Sequence, residues 1–338
     1  MLESLLPNDL VPMMAFTTFA FVVSMLLTPL FTDFLYRNRL GKKIRTTDYA
    51  GAKAPIYAKL HQHKENTPTM GGLIIWVPAA ILTIIFNLSR SGTWLPLFSL
   101  VANGIIGAVD DLLNIIGVGP NRGGMRFRYK LLLYALMAVV GAYWFYFKLG
   151  WSILHVPGLG NFEIGWWYIP LFIGILVFFA FSVNETDGLD GLAGGTLATA
   201  YGAYGIIALS QGKPELAIFC ATVLGSLLSF LWFNIYPARF FMGDTGAMAL
   251  GMTLGVVAFL TNSALLLFVI GFIFVLEAFS VIVQIISKKF FKRKIFLSSP
   301  IHHHFEALGW PETKITMRFW IIAAISASLG LAIALLDK

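Results

Sequence analysis

Ten stretches of this chain are too long and too apolar to be left in water. They centre on residues 14–36, 71–88, 94–110, 129–147, 166–183, 191–210, 215–233, 245–261, 264–287 and 317–336. Each is close to the roughly 20 residues that a helix needs to cross a hydrocarbon core. Inside a bilayer only helices and closed barrels satisfy their own backbone groups, and continuous apolar runs of this length read as helices. Charge points the same way: 12% of the residues are charged and 58% hydrophobic. About a quarter of an ordinary soluble domain is charged, so a soluble enzyme is excluded. The expectation is an all-α integral membrane protein, a bundle of ten transmembrane helices forming one domain over 1–338. The leading segment carries Glu3 and Asp9 but no Lys or Arg, so it does not read as a cleavable signal. Cys220, the single cysteine, sits in the seventh run and allows no disulfide framework.

Formal charge is +7, and its distribution sets an orientation. With the amino terminus outside, the cytoplasmic loops hold twenty Lys and Arg: eight from Arg37 to Lys64, then Arg122, Arg126, Arg128 and Lys130, then Arg239, and seven from Lys288 to Arg318. Only Arg90, Lys148, Lys213 and Lys338 fall outside. Basic residues collect on the cytoplasmic side of membrane proteins, so both termini are expected on the outer side. Trp94, Trp144, Trp151, Trp166 and Trp167 then fall at outer helix ends, where interfacial aromatics belong. The excess charge is accounted for by these loops and calls for no nucleic acid.

The acidic residues gather on the cytoplasmic face. Asp110 and Asp111 end the third run, Asp187 and Asp190 lie between the fifth and sixth, and Asp244 opens the eighth. Adjacent carboxylates at a helix C-terminus are disfavoured by the macrodipole and raise each other's pKa. Mg²⁺, which takes hard oxygen ligands and substrate phosphates, would compensate; a solvated acidic helix end is the plainer alternative. Asp187 and Asp190, three apart, would share a face on a helical turn. Asp190 and Asp244 equally fit ordinary N-caps. KENTPTMGG (64–72) sets Lys64, Thr67, Thr69 and a Gly pair at a helix start, a place suited to an anion. His302, His303 and His304 are consecutive and lack zinc-ligand spacing, so contact with phosphate or leaving group fits them better. Glu277, Ser280 and Gln284 form a polar stripe that should face the bundle interior.

Acids, a Lys and His at one interface suggest phosphoryl chemistry on a lipid-borne phosphate, with a metal and cations neutralising charge. No P-loop or nucleophile elbow is present. TPTMGG (67–72), VDD (109–111), VNETDGLDGLA (183–193), WFNIYPARFFMGDTG (232–246) and SPIHHHFE (299–306) then carry a resemblance. From about Tyr36 onward the chain resembles the phospho-N-acetylmuramoyl-pentapeptide transferases, within the polyprenyl-phosphate N-acetylhexosamine-1-phosphate transferases. The resemblance implies a bacterial inner-membrane enzyme with its active site at the cytoplasmic face. Its implied reaction joins the phospho-sugar of UDP-N-acetylmuramoyl-pentapeptide to undecaprenyl phosphate with Mg²⁺, giving lipid I and UMP. Carried over by motif, Asp110 would deprotonate or align the lipid phosphate, with Asp111 beside it, and Asp244 and Asp111 would hold Mg²⁺. Lys64, Thr69, Asn184, Asp187, Asp190, Asn234 and Gln284 would line the nucleotide-sugar site. Phe241 would stack on uracil, His302, His303 and His304 would lie near sugar and phosphates, and Lys130 near the Asp pair. A second copy of the chain and other cell-wall enzymes are the expected protein partners.

Two departures stand out. Asn114 occupies the Lys position of the family's DDxxK, and Glu185 replaces a residue that is usually apolar. Lys130 is the expected substitute charge, aimed back at Asp110 and Asp111 from the start of the fourth helix. The nearest rival function is transfer of N-acetylglucosamine-1-phosphate to the same carrier, against which the His triplet argues. A secondary transporter would place its acids near the midplane, and an inactive scaffold would not need the Asp set.

Overall fold

The computed structural model describes residues 7–38, 40–41, 64, 67–89, 92–119 and 124–337. Arg39, Lys42, Lys43, Arg45, Lys53, Lys59, Arg90, Arg122 and Lys338 of the charge pattern, and Glu3, lie outside them.

Among the described residues, helices and one hairpin make up the named elements. Helices α1 (Pro7–Arg37), α2 (Leu73–Phe86), α3 (Trp94–Ile116) and α4 (Phe127–Tyr143, continued by a π turn over Trp144–Lys148) come first. Strands β1 (Ile153–Val156) and β2 (Gly160–Glu163) pair antiparallel, Ile153 opposite Glu163. Then follow α5 (Tyr168–Thr186), α6 (Leu192–Ser210), α7 (Pro214–Asn234), α8 (Gly243–Leu260), α9 (Leu267–Ile270), α10 (Phe272–Ile286), α11 (Ile301–Ala307) and α12 (Glu312–Leu336). Among the described residues, eight helical segments are long and apolar enough to cross a membrane. The second and ninth predicted runs differ from that pattern: α2 has 14 residues, and the ninth run breaks at Gly271 into α9 and α10.

The third run also extends further than expected. α3 continues past Asp110 to Ile116 because Leu112, Leu113, Ile115 and Ile116 keep it apolar. Gly117, at φ 80°, closes it by donating to the Asn114 carbonyl. Asp110 and Asp111 therefore sit more than a turn inside the helix rather than at its end.

α8 is the centre of the bundle, buried along nearly its whole length, while α1 and α12 turn mostly apolar, exposed faces outward. Small residues permit the close approach that membrane helices use. A Cβ on Gly107 of α3 would meet the Asp244 carbonyl oxygen at 2.3 Å, and one on Gly72 would meet Gly246 Cα at 2.2 Å. Thr245 ties the same three helices, accepting from Trp76 Nε1 (3.0 Å) and donating to the Gly104 carbonyl (2.8 Å). This packing sets Asp110 and Asp111, one turn on from Gly107, beside Asp244.

α12 shows which ends coincide. Its first residue, Glu312, touches Lys64 and Asp190. After its last turn, Asp337 Oδ2 accepts from the Gly158 N–H at 2.8 Å and lies 3.0 Å from His155 Nε2 in the hairpin. About 37 Å of helix, 25 residues at about 1.5 Å each, separates the two places. The hairpin and the carboxylates thus occupy opposite ends of the bundle.

Candidate active site

Three helices deliver the acids and a fourth the cation. Lys130, in the first turn of α4, forms ion pairs with Asp110 Oδ2 and, at 2.9 Å, with Asp244 Oδ2. Lys130 thus meets Asp110 as expected and also reaches Asp244, because Gly107 packs the start of α8 against α3. Asp110 Oδ1 accepts the Met125 N–H at 2.6 Å. Asp111 turns the other way, accepting the Thr245 N–H at 3.0 Å and the Thr69 hydroxyl at 3.3 Å. Asn184, in the last turn of α5, donates to Asp244 Oδ1 at 2.5 Å. Asp187 Oδ2 accepts the Gly243 N–H at 3.0 Å. Gly243 itself has φ 74°, and a Cβ there would fall 2.5 Å from both Asp111 Oδ2 and Thr69 Oγ1.

The cap readings do not survive. Met242 occupies the N-cap of α8 and Gly191, at φ 76°, that of α6, neither with a side-chain cap bond. Asp244 and Asp190 use their carboxylates on other partners. Nor do Asp187 and Asp190 share a helical face: Asp187 is the C-cap of α5, and Asp190 turns to a second cluster. There Asp190 Oδ1 lies 2.7 Å from Lys64 Nζ and Oδ2 accepts the Ala238 N–H at 2.9 Å. Burial pulls the Lys64 pKa down, but Glu312 and Asp190 together outweigh it and hold the ammonium above its usual value. Lys64 Nζ also stands 5.7 Å from the centre of the Phe241 ring. Asn234 closes this side, donating to the Phe240 carbonyl and accepting the Gly191 N–H.

The anion cradle expected at the start of α2 is filled by protein. The N–H groups of Gly71 and Gly72 donate to the carbonyls of Phe241 and Met242, both at 2.8 Å. The motif docks one loop on another, which places Thr69 beside Asp111.

The histidines stand on α11. His302, wholly buried, has Nδ1 3.0 Å from Glu277 Oε2. It packs on the Asp187–Asp190 turn so closely that a Cβ on Gly188 would meet its Nε2 at 2.2 Å. His303 Nδ1 lies 2.5 Å from Glu306 Oε2, and His304 Nδ1 accepts the Leu297 N–H at 3.2 Å. The Glu277, Ser280 and Gln284 stripe faces inward as expected, all three being buried. Gln284 holds the following loop: its oxygen accepts from Ile295 and Phe296 N–H, and its nitrogen donates to the Phe296 carbonyl. The structure therefore brings together Asp110, Asp111, Asp244, Lys130, Asn184 and Thr69, and beside them Lys64, Asp190, Asn234 and Phe241. Gln284 is turned to its own loop. Glu312 is absent from the motifs.

Lys130 sets one ammonium against Asp110 and Asp244, while Asp111 and Asp187 accept the adjoining Thr245 and Gly243 N–H groups. Mg²⁺ favours such oxygen donors and needs only one or two carboxylates when substrate phosphates complete its shell. Asp244, partly exposed, and Asp111 fit that role. Among the described residues no three His, Cys, Asp or Glu side chains form a closed cage, so a cation here would draw further ligands from water or phosphate.

Similarity to known proteins agrees with the geometry. The family model of glycosyl transferase family 4 matches residues 93–262, and signature 1 of the phospho-N-acetylmuramoyl-pentapeptide-transferases matches 64–75. Relatives named phospho-N-acetylmuramoyl-pentapeptide-transferase include one from Geobacillus thermodenitrificans, 41% identical over 93% of this chain and 95% of its own. Another, from Chloroflexus aurantiacus, is 39% identical over 99% of this chain and 93% of its own. The signature supplies Lys64 and Thr69 to the two halves of the site and the likeness runs nearly end to end, so the chain belongs to the phospho-N-acetylmuramoyl-pentapeptide-transferase family.

Proposed function

We propose that this protein transfers phospho-N-acetylmuramoyl-pentapeptide from its UDP-linked donor to undecaprenyl phosphate, forming lipid I and releasing UMP. The observation that carries this reading is the pairing of Asp110 and Asp244 with Lys130, with Asp111 held on the neighbouring Thr245 N–H, at one end of an apolar bundle. A lipid-borne phosphate and a water-borne nucleotide meet at such a place. The relatives' name supplies the transferred group.

In this reading Lys64, Thr69, Asn184, Asp187, Asp190, Asn234, Phe241 and the His302–His304 helix hold the donor, with the Phe241 ring against uracil. An oxygen of the lipid phosphate bonds to the donor's β-phosphorus. The bond from that phosphorus to the bridging oxygen breaks, and UMP leaves with that oxygen. A phosphomonoester has its second pKa near 6, so no proton need be removed at neutral pH. Asp110 has one oxygen on Met125 N–H and the other on Lys130; its part is to aim Lys130 at the phosphates. Mg²⁺ on Asp244 and Asp111 supplies neutralisation of phosphate charge.

The bundle crosses the membrane ten times in this reading, with both termini outside and the carboxylates at the cytoplasmic face. α2 rises about 21 Å, and the flanking residues 70–72 and 87–89 complete its crossing; α9 and α10 together make the ninth. The described basic residues support this sidedness. Arg126, Arg128, Lys130 and Arg239 lie at the carboxylate end, and Lys148 and Lys213 at the hairpin end. Cysteines introduced at Arg126 and Lys289 are expected to escape an impermeant thiol reagent in intact cells, and one at Leu159 to react. Labelling of the first two with protection of the third would reverse the orientation.

Purified full-length protein in detergent tests the activity itself. UMP release is expected from UDP-N-acetylmuramoyl-pentapeptide only with undecaprenyl phosphate and Mg²⁺ present. Release from UDP-N-acetylglucosamine instead would assign the chain to the sister reaction, and no release from either donor would overturn the reading.

A further inference from the structure

Glu312 belongs to none of the motifs, yet it stands at a junction. Its Oε1 lies 2.5 Å from Lys64 Nζ and accepts the Asp190 N–H at 2.6 Å. Lys64 also pairs with Asp190 Oδ1, and Asp190 Oδ2 holds the Ala238 N–H, three residues before Phe241. The side chains of Lys64, Asp190 and Glu312 are 9%, 3% and 9% exposed. Two carboxylates and one ammonium are therefore withdrawn from water together. Such an arrangement is held only when its geometry is fixed from several sides. Here the sides are three: the segment at Lys64, the turn before α6, and the first turn of α12. Thr316, one turn along α12, adds a bond to the Asp190 carbonyl at 3.2 Å, and Trp320 Nε1 one to the Gly191 carbonyl at 3.0 Å.

We propose that Glu312 is a positioning residue for the nucleotide-sugar donor, fixing the Lys64 ammonium and the Asp190 turn so that Phe241 and Asp187 stand in register. This rests on the assignment of those four residues to the donor in the reading above. Glu312→Gln keeps an oxygen for the Asp190 N–H but leaves Lys64 with Asp190 as its only carboxylate among the described residues. Donor binding should weaken while the step at phosphorus, centred on Lys130 and Asp244, should not. Burial lowers the Lys64 pKa, and the charge of Glu312 is the largest single effect raising it, followed by that of Asp190. An ammonium is kept below its pKa and lost as pH rises through it. The alkaline limb of donor affinity should therefore move to lower pH in the Gln variant.

Steady-state kinetics of the full chain, varying each substrate with the other saturating, test this. For Glu312→Gln the donor KM is expected to rise about tenfold, with kcat within about threefold and acceptor KM unchanged, the pattern of lost uniform binding. The alkaline limb should shift down, and Glu312→Asp should restore part of the donor KM. An unchanged donor KM and alkaline limb in an active variant would overturn the proposal. So would a joint fall in kcat, both affinities and thermal midpoint, which marks a merely structural role. If Glu312→Gln does not accumulate, Glu312→Asp is read by the same criteria. Wild-type protein inactive with the UDP-linked peptide donor overturns the functional reading instead.

Discussion

Asp244→Asn is expected to slow UMP release by about three orders of magnitude while the protein still accumulates and folds. Two unit charges about 4 Å apart interact by about 4 kcal/mol at an effective dielectric near 20, and each 1.36 kcal/mol of lost stabilisation is tenfold in rate. Asn keeps the volume and an oxygen for Asn184, which now donates to Asp244 at 2.5 Å. It replaces the oxygen 2.9 Å from Lys130 with an amide NH₂ or a neutral carbonyl. Lys130 retains Asp110, so the loss to folding is smaller than the loss to chemistry. No helix cap is removed, since Met242 holds the N-cap position of α8. UMP release, the Mg²⁺ concentration for half-maximal rate and the thermal midpoint separate these effects. The rate should fall, the Mg²⁺ requirement should rise, and the midpoint should stay near wild type. Activity within about threefold of wild type, less than about 1 kcal/mol of transition-state effect, would remove Asp244 from the metal and phosphate site.

Hydropathy is written locally, and so the apolar runs reveal most of the helices directly. What they do not reveal is where a helix stops when its flank is also apolar. α3 runs on through Leu112–Ile116 until Gly117 supplies a left-handed φ, and that moved Asp110 and Asp111 from a helix end into a helix interior. The hairpin at Ile153–Glu163 is a second omission. Its strands have four residues each, too few to stand out by alternation, and part of what holds it, Asp337, lies 182 positions beyond His155. In the site, carboxylates and a lysine are conspicuous in a chain so poor in charge, so Asp110, Asp111, Asp244 and Lys130 were legible as a set. Their pairing was not. Lys130 meets Asp244 across 114 positions because Gly107 lets two backbones touch. Glu312 was hidden for a different reason. An acid after Pro311 and before an apolar run is an ordinary first-turn residue, and only its contact with Lys64, 248 positions away, distinguishes it.

Lys130→Ala is expected to cost far more activity than Asn114→Ala, about 10³-fold against about threefold, from the same charge arithmetic. Lys130 is the cation between buried Asp110 and partly exposed Asp244, with its own side chain 7% exposed. Removing one partner of a buried pair leaves charge uncompensated and destabilises by about 3–5 kcal/mol. Some loss of folded protein should therefore accompany the loss of rate, and rates must be taken per folded molecule. Asn114 is buried too, but its Oδ1 has no hydrogen-bond partner among the described residues, so its truncation removes no acceptor that those residues use. A lysine placed at 114 stands one helical turn after Asp110, where an acid and a base at i and i+4 face each other. Asn114→Lys should consequently be tolerated, and in the Lys130→Ala background it should return part of the rate, about tenfold if it restores one charge-assisted bond of about 1.5 kcal/mol. The rescue distinguishes a charge beside the phosphates from a headgroup anchor for α4, because a lysine on α3 cannot replace an anchor on α4. Equal and mild losses in both alanine variants, or a double variant no faster than Lys130→Ala, would reject Lys130 as the substitute for the family lysine.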